Sequence, residues 1–170
     1  MLDHRINKII HPLLNGLANH IPRQISANTI TLAGFAVGAM VLPLLWFKLY
    51  STAMAVILVN RFFDGLDGAV ARKLGPTNLG GYLDITCDFI FYSVVIMGFA
   101  LAAPENNSLA AAFLIFSFIG TGSSFLAFAA AAEKQGISSD VRGFKAFYYL
   151  GGLTDGTDTF LFLLIIFMYP

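Results

Sequence analysis

The chain has 170 residues, of which 57% are hydrophobic and only 12% are charged. Soluble domains usually contain about twice that charged fraction, so this composition argues against a soluble domain and favours an integral membrane protein. The formal net charge is zero and the sequence has no basic run, which argues against a nucleic-acid partner.

The first 25 residues are too polar to span a bilayer, but they carry an apolar stripe of helical period. Apolar residues recur there at three- and four-residue steps, at Ile6, Ile9, Ile10, Leu13, Leu14, Leu17 and Ile21. This spacing predicts an amphipathic helix that lies at the membrane interface beside the first span. The alternative is an ordinary helix packed against the rest of the protein.

Five later stretches are apolar and long enough to cross a bilayer as helices. They cover approximately residues 28–48, 51–73, 80–103, 108–132 and 146–169, and short polar connectors separate them. The sequence therefore predicts an all-α, polytopic membrane helix bundle that forms one domain over residues 1–170. Five spans would leave Pro170 on the side opposite the N-terminus, directly after an apolar run, so we also expect a sixth helix after residue 170.

Basic residues are concentrated on one side of the predicted bundle. If the N-terminus is cytoplasmic, the loops at 72–79 and 133–145 are cytoplasmic too. These regions hold most of the basic residues, namely Arg5, Lys8, Arg23, Arg72, Lys73, Lys134, Arg142 and Lys145. The opposite side has only Lys48. The positive-inside rule thus predicts a cytoplasmic N-terminus, and we expect a bacterial or archaeal inner or plasma membrane.

Four aspartates, Asp64, Asp67, Asp84 and Asp88, lie inside the second and third predicted spans. Carboxylates at membrane depth are costly, so ionisable residues there indicate a functional site by default. The helical period places Asp64 and Asp67 on one side of the second span, and Asp84 one turn from Asp88 on the third. The short glycine-proline turn between the spans predicts antiparallel packing with the two acidic faces opposed near the cytoplasmic surface.

Four carboxylates this close cannot all stay ionised without compensating cations. Arg61 and Arg72 are too few to neutralise them as buried ion pairs, although Arg61 lies one turn before Asp64 and is expected to orient it. Oxygen ligands favour hard cations such as Mg²⁺ or Mn²⁺, and two bridged ions would clamp a phosphate. Gly68 and Ala71 leave room for a ligand, and the guanidinium of Arg72 matches phosphate oxygens.

Residues 64–88 resemble the signature of the CDP-alcohol phosphotransferase (CDP-alcohol phosphatidyltransferase) family. That signature reads Asp-x-x-Asp-Gly-x-x-Ala-Arg, a spacer, and then Gly-x-x-x-Asp-x-x-x-Asp. Every fixed position is matched here, and only the spacer between Arg72 and Gly80 is slightly shorter than in many members. The resemblance implies a compact core of six membrane helices that is usually a homodimer.

The resemblance also implies metal-dependent transfer of a phosphoalcohol group from a CDP-linked donor, expected to be CDP-diacylglycerol, to an alcohol, with release of CMP. By matched position, Asp64, Asp67 and Asp84 would bind the metals. Asp88 would bind the second metal and act as the base. The donor would be held by Gly68, Ala71, Arg72, Thr77, Asn28 and Thr31. For Asn28 and Thr31 the alternative is an ordinary N-cap with a nearby hydroxyl.

The acceptor alcohol is the least constrained part of the prediction. Asp155 and Asp158 lie in the fifth predicted span, where they would contact a polyol or amine headgroup, or pair structurally with a basic side chain. Arg142 and Lys145, together with Lys134, would bind an acceptor phosphate, or are simply positive loop charges. The sequence ranks no acceptor above the others.

Two alternative functions remain. The first is the mirrored reaction, in which a soluble CDP-alcohol is the donor and a lipid is the acceptor. The second is a metal-ion transporter or channel, because intramembrane aspartates also line ion pathways. A conduction path should extend across the membrane, whereas these acidic residues cluster at one end apart from Asp155 and Asp158. Ion conduction would also not require Gly68, Ala71 and Arg72 at their spacings.

Overall fold

The structure is a computed structural model that describes residues 2–134 and 156–168, and the observations below concern these residues. The described part is built from helices and contains no strand. The helices are α1 (Leu2–His20), α2 (Ala27–Ala39), α3 (Val41–Trp46), α4 (Tyr50–Leu74), α5 (Asn78–Ala102), α6 (Pro104–Lys134) and α7 (Gly156–Met168). The prediction of an all-α membrane helix bundle is confirmed.

Three apolar stretches are long enough to cross a membrane, at Ala27–Trp46, Asn78–Ala102 and Pro104–Ala131. They correspond to the first, third and fourth predicted spans, and the first is divided at Met40 into α2 and α3. The second predicted span is α4, whose 25 residues are long enough to cross but include the charged residues of the site. The fifth is described only as α7, because residues 146–155 lie outside the described part.

Local capping defines the connection between α4 and α5. Gly75 ends α4 with a φ of 101°, a left-handed conformation that glycine adopts without steric cost. Thr77 then begins α5, because its hydroxyl oxygen accepts a hydrogen bond from the backbone N–H of Gly80 at 3.0 Å. Ser26 caps α2 in the same way by accepting a hydrogen bond from the N–H of Thr29 at 3.2 Å.

The segments α2 and α3, which continue one another through Met40, form the centre of the bundle, since both pack against α4 and against α5. The remaining long helices are peripheral: α1 packs on α4, and α6 packs on α5. The backbones of α4 and α5 lie farther apart than those of the helix pairs just named, but the two helices contact each other through side chains, as the 2.7 Å pair of Arg61 and Asp88 shows. Their acidic faces are opposed at a polar cavity, as expected.

Beyond the polar cavity, α3, α4 and α5 share one hydrophobic core with a contribution from α7. Its most completely buried members are Val41, Leu45, Ala53, Ile57, Phe91, Val95 and Leu163. Gly98 permits close approach of α3 to α5, because a Cβ atom at this position would lie 2.7 Å from the side chain of Leu45. This core fixes the relative position of the helices that carry the acidic residues.

The amphipathic helix α1 has apolar side chains both on its inner face and on its outer face. Leu14 and Ala18 are buried against Ala69 and Val70 of α4. On the outer face, Leu13 is 69% exposed, and Ile10 and Leu17 are exposed as well. The helix therefore packs on its own protein, as one prediction had it, and still presents an apolar edge suited to a membrane interface.

Candidate metal and nucleotide site

Three of the four aspartates come together at one point of the polar cavity. Asp64 and Asp67 of α4 and Asp84 of α5 each offer a carboxylate oxygen, and these oxygens lie within 4.8 Å of one another. Asp67 is buried, with 4% of its surface exposed, whereas Asp84 is open to solvent. Oxygen ligands grouped in this way suit a hard divalent cation, so these residues fit the metal that the signature implies.

The buried carboxylate of Asp67 is oriented by a neighbouring helix. The hydroxyl of Thr31, on α2, donates a hydrogen bond of 2.6 Å to Oδ2 of Asp67. Hydrogen bonds from outer residues commonly fix the orientation of metal-binding carboxylates. Thr31 therefore contacts the acidic cluster directly, and the cap of α2 is Ser26, not Asn28.

Asp88 lines the same cavity as the other three aspartates, but its carboxylate is paired with a cation. Nη2 of Arg61 lies 2.7 Å from Oδ1 of Asp88, and Nη1 donates to Oδ2 at 3.4 Å. The distance from Arg61 to Asp64 is longer, at 3.6 Å. Arg61 thus contacts Asp64 as expected, and it makes a shorter, two-pronged contact with Asp88 that the sequence did not predict.

A cleft of about 370 Å³ adjoins the acidic cluster, within the range of about 300–1,000 Å³ that is usual for small-molecule sites. Asp67 and Asp84 form its boundary with the cluster. Five of the six residues predicted to hold the donor line this cleft, namely Asn28, Thr31, Gly68, Ala71 and Thr77. Residues far apart in the sequence thus converge on one space next to the carboxylates.

The N-termini of two helices border this cleft. Ser26, Ala27 and Asn28 line it from the start of α2, and Thr77, Gly80 and Gly81 line it from the start of α5. Helix N-termini carry partial positive charge and free N–H groups, which favour bound anions such as phosphates. One side of the cleft, at the two helix N-termini, therefore suits a bound anion, and the other side, at the aspartates, suits a bound cation.

Arg72 lies at the edge of this arrangement. Its Nη2 donates a hydrogen bond of 3.2 Å to Oδ1 of Asn15 on α1. A Cβ atom built on Gly68 would lie 3.4 Å from Nη1 of Arg72, so the guanidinium is next to a residue of the cleft without lining it. The donor-binding role of Arg72 stays a prediction.

Several residues of the site were not singled out from the sequence. Asn60 is buried and donates a hydrogen bond of 2.9 Å from Nδ2 to the backbone oxygen of Gly34. A Cβ atom on Gly34 would lie 2.6 Å from Cβ of Phe63, so glycine is needed for α2 to approach α4. The Gly34-x-x-x-Gly38 spacing is the sequence signal that indicates such an approach.

The predicted acceptor residues are only partly covered by the structure. Asp158 lies in the first turn of α7. Arg142, Lys145 and Asp155 lie outside the described residues. Their proposed contact with an acceptor is therefore not tested.

Comparison with known proteins identifies the family. The sequence model of the family described as CDP-alcohol phosphatidyltransferase matches residues 24–170. The chain belongs to the CDP-alcohol phosphatidyltransferase family. It is accordingly a transferase of phosphate-containing groups that acts in phospholipid-headgroup transfer.

Curated relatives of this CDP-alcohol phosphatidyltransferase include bacterial and archaeal proteins. It is 50% identical, over its whole length and 83% of the other chain, to "Inner membrane protein YnjF" of Escherichia coli strain K12. It is 34% identical to an archaetidylinositol phosphate synthase of Methanothermobacter thermautotrophicus, over 55% of this chain and 45% of that one. A synthase of the same name from Pyrococcus horikoshii is 32% identical over 45% of this chain and 42% of its own. No solved structure matches the chain.

Proposed function

We propose that this CDP-alcohol phosphatidyltransferase transfers a phosphatidyl group from CDP-diacylglycerol to an alcohol and releases CMP. The observation that carries the proposal is the grouping of three carboxylate oxygens within 4.8 Å of one another beside a cleft that two helix N-termini border. A cytidine diphosphate needs a site of this kind. Its diphosphate carries several negative charges that cations and helix N-termini can stabilise, and its flat base needs an adjoining cleft.

Different residues of the cleft bind different parts of the donor. The N-termini of α2 and α5 face the diphosphate, whose negative charge they stabilise. Asn28, Thr31 and Thr77 supply polar groups to the nucleotide, and Gly68 and Ala71 allow it to approach the backbone of α4. Arg72, at the edge of the cleft, extends this positive environment. The two nearby arginines alone would leave the carboxylates under-compensated, which explains the need for cations.

Transfer itself requires one bond to form and one to break at the β-phosphorus of the donor. The acceptor oxygen attacks this phosphorus, the bond to the CMP oxygen breaks, and Asp88 takes the proton of the attacking hydroxyl. Asp64, Asp67 and Asp84 would hold two cations, either Mg²⁺ or Mn²⁺. When bound, these cations would neutralise the negative charge of the diphosphate and of the departing CMP. Asp88 would complete the ligands of the second cation.

The layout of the chain supports a proposal for where the reaction takes place. We propose an inner-membrane enzyme with its N-terminus and active site on the cytoplasmic side, in agreement with the basic loops and with the name of its bacterial relative. We further propose a homodimer, and an acceptor contacted by Asp155 and Asp158 with Arg142 and Lys145. A phosphorylated polyol is the first acceptor to test, because two relatives are archaetidylinositol phosphate synthases.

An acceptor screen tests this function. Labelled CDP-diacylglycerol in nanodiscs is incubated with inositol phosphate, glycerol phosphate, serine or choline, and CMP release is measured with Mg²⁺, with Mn²⁺ and with EDTA. We expect cation-dependent release with one acceptor, and none from the Asp67→Asn variant. A parallel assay offers a soluble CDP-alcohol with a lipid acceptor, and CMP release in that assay alone would establish the mirrored reaction. Release that persists in EDTA would contradict the metal requirement.

A further inference from the structure

Arg61 is a cation in a membrane-spanning helix, and its closest ionic partner belongs to another helix. Only 17% of its side chain is exposed, and Nη2 lies 2.7 Å from the carboxylate of Asp88 on α5. Two contacts, one from each terminal nitrogen, join the guanidinium to both oxygens of this carboxylate. Such a two-pronged pair fixes the orientation of a carboxylate as well as its position.

Other side chains hold the guanidinium itself in place. Nε and Nη2 of Arg61 both donate to Oδ1 of Asn60, at 3.0 and 2.7 Å. Nη1 donates to the hydroxyl of Tyr92 at 3.0 Å. The guanidinium carbon lies 4.8 Å from the centre of the Phe91 ring and 5.2 Å from that of Tyr92, distances that favour cation–π attraction.

This network also connects Arg61 to the place where α2 packs against α4. The same Asn60 that accepts from Arg61 donates its Nδ2 to the backbone oxygen of Gly34. Arg61 is therefore held through Asn60 by the backbone of α2 and through Tyr92 by α5. Because all three helices contribute, the guanidinium has little freedom to follow a carboxylate that moves.

We propose that Arg61 is a positioning residue, which holds the carboxylate of Asp88 in the orientation that proton transfer from the acceptor requires. The proposal rests on the proposed function, in which Asp88 is the base. Arg61 lies outside the acidic signature, one turn before its first aspartate, and acts through Asp88. A purely structural ion pair would predict lower stability in its absence, but no separate effect on turnover.

A double-mutant cycle tests the pair without any turnover. Arg61→Gln, Asp88→Asn and the double variant are purified in detergent, and their unfolding temperatures are compared with that of the natural protein. We expect each single variant to unfold at a lower temperature, and the double variant to lose less than the sum of the two losses. Additive losses would show that the two side chains do not interact and would overturn the proposal.

Kinetics then separate positioning from a structural role. We expect Arg61→Gln to lower kcat by ~100-fold while KM for the CDP donor changes little, since a small displacement of a reacting group has this effect. Arg61→Lys should restore part of kcat, because it keeps the cation but not the fork. Ile57→Ala, one turn earlier in α4 and fully buried in the hydrophobic core, is the control for lost stability.

The outcomes distinguish a failure of the positioning role of Arg61 from a failure of the proposed transferase function. If Ile57→Ala lowers kcat as much as Arg61→Gln at a similar unfolding temperature, or if Arg61→Gln leaves kcat unchanged, the positioning role is wrong while the transferase function stands. If KM rises in step with the fall of kcat, Arg61 acts on donor binding, which also overturns the proposal. If the natural protein releases no CMP from any donor, the proposed function fails, whatever the double-mutant cycle shows.

Discussion

Single side chains compensate the four carboxylates of this site in different ways. Asp67 receives a hydrogen bond from the hydroxyl of Thr31, and Asp88 receives a two-pronged contact from Arg61. From the described residues, Asp64 and Asp84 receive neither kind of contact, apart from the longer contact of Asp64 with Arg61. The arrangement leaves the mouth of the cavity negatively charged, which is where a divalent cation has the largest stabilising effect.

The hydroxyl of Thr31 should matter for metal affinity. Removing it in Thr31→Val keeps the shape of the side chain but leaves Asp67 without its donor, and changes of this kind typically weaken metal binding by about 10- to 100-fold. The dissociation constant of Mn²⁺, measured by titration with detection of the free ion by electron paramagnetic resonance, checks this. Thr121→Val, at an exposed position of α6, is the matched control. Equal affinities of the two variants would contradict the role of Thr31.

The carboxylate of Asp88 should be needed for turnover more than for donor binding. Asp88→Asn cannot take up the acceptor proton, and loss of a general base typically lowers the rate by about 10²- to 10⁴-fold. Turnover is measured as CMP release, and donor binding by displacement of a labelled CDP-donor. Glu105→Gln, in the first turn of α6, is the control and should behave as the natural protein. Full turnover of Asp88→Asn would remove the assignment of the base.

At the scale of helices, the close approach of α2 to α4 brings Thr31 within reach of Asp67. The contact depends on Gly34, where an added Cβ atom would lie 2.6 Å from Cβ of Phe63. Gly34→Ala should therefore lower the free energy of unfolding by about 1–3 kcal/mol, the usual cost of overpacking. Thermal unfolding in detergent measures it. Gly120→Ala, where a Cβ would meet nothing within 4 Å, should be neutral or slightly stabilising; equal losses would contradict this account.

The side chain of Lys73, in the last turn of α4, attaches α4 to the carboxyl end of α1. The ammonium of Lys73 donates hydrogen bonds to the backbone oxygens of Ala18 and Ile21, at 2.8 and 3.1 Å, where such a charge also favours the helix dipole. Lys73→Met should loosen α1 and expose the connector that contains Arg23. We expect trypsin to cleave after Arg23 several-fold faster in this variant, measured by mass spectrometry. Lys134→Met serves as the control, and unchanged cleavage would contradict the attachment.

Much of the site was predictable from the sequence because helical periodicity acts locally. The spacing of Asp64 and Asp67 puts both on one face of α4, and the short capped turn returns α5 with Asp84 beside them. Tertiary partners were not predictable in the same way. The contact of Arg61 with Asp88 joins positions 27 residues apart, and nothing local distinguishes it from a contact with Asp64, one helical turn away.

The same limit applies to the spacing of α4 and α5. A short connection predicts two neighbouring helices with opposed acidic faces, as the structure has them, but it does not reveal that α2 and α3 pack against both. The Gly34-x-x-x-Gly38 spacing is typical of a close helix approach but does not identify the partner helix. In the structure Gly34 faces Phe63 of α4, and Gly38 lies between Asn60 of α4 and Phe91 of α5.

At the scale of the whole molecule, the apolar α2 and α5 and the charged α4 enclose a polar cavity, and α6 lies outside it against α5. The cleft is bordered by the connection between α4 and α5 and by the start of α2, so it opens near Arg72 and Lys73 at the end of α4 and Arg23 before α2. The proposed transfer from a membrane-bound donor to a soluble acceptor would need such a geometry, with the reacting groups near the surface and the helices in the lipid.

The most direct test of the whole account is a structure of the protein crystallised with Mn²⁺ and CDP, with data collected at the manganese absorption edge. The account predicts an anomalous peak between the carboxylates of Asp64, Asp67 and Asp84. The diphosphate should lie against the N-termini of α2 and α5, and the base should lie in the adjoining cleft. A manganese peak bound elsewhere, or a nucleotide in another cleft while these three carboxylates turn away from one another, would contradict it.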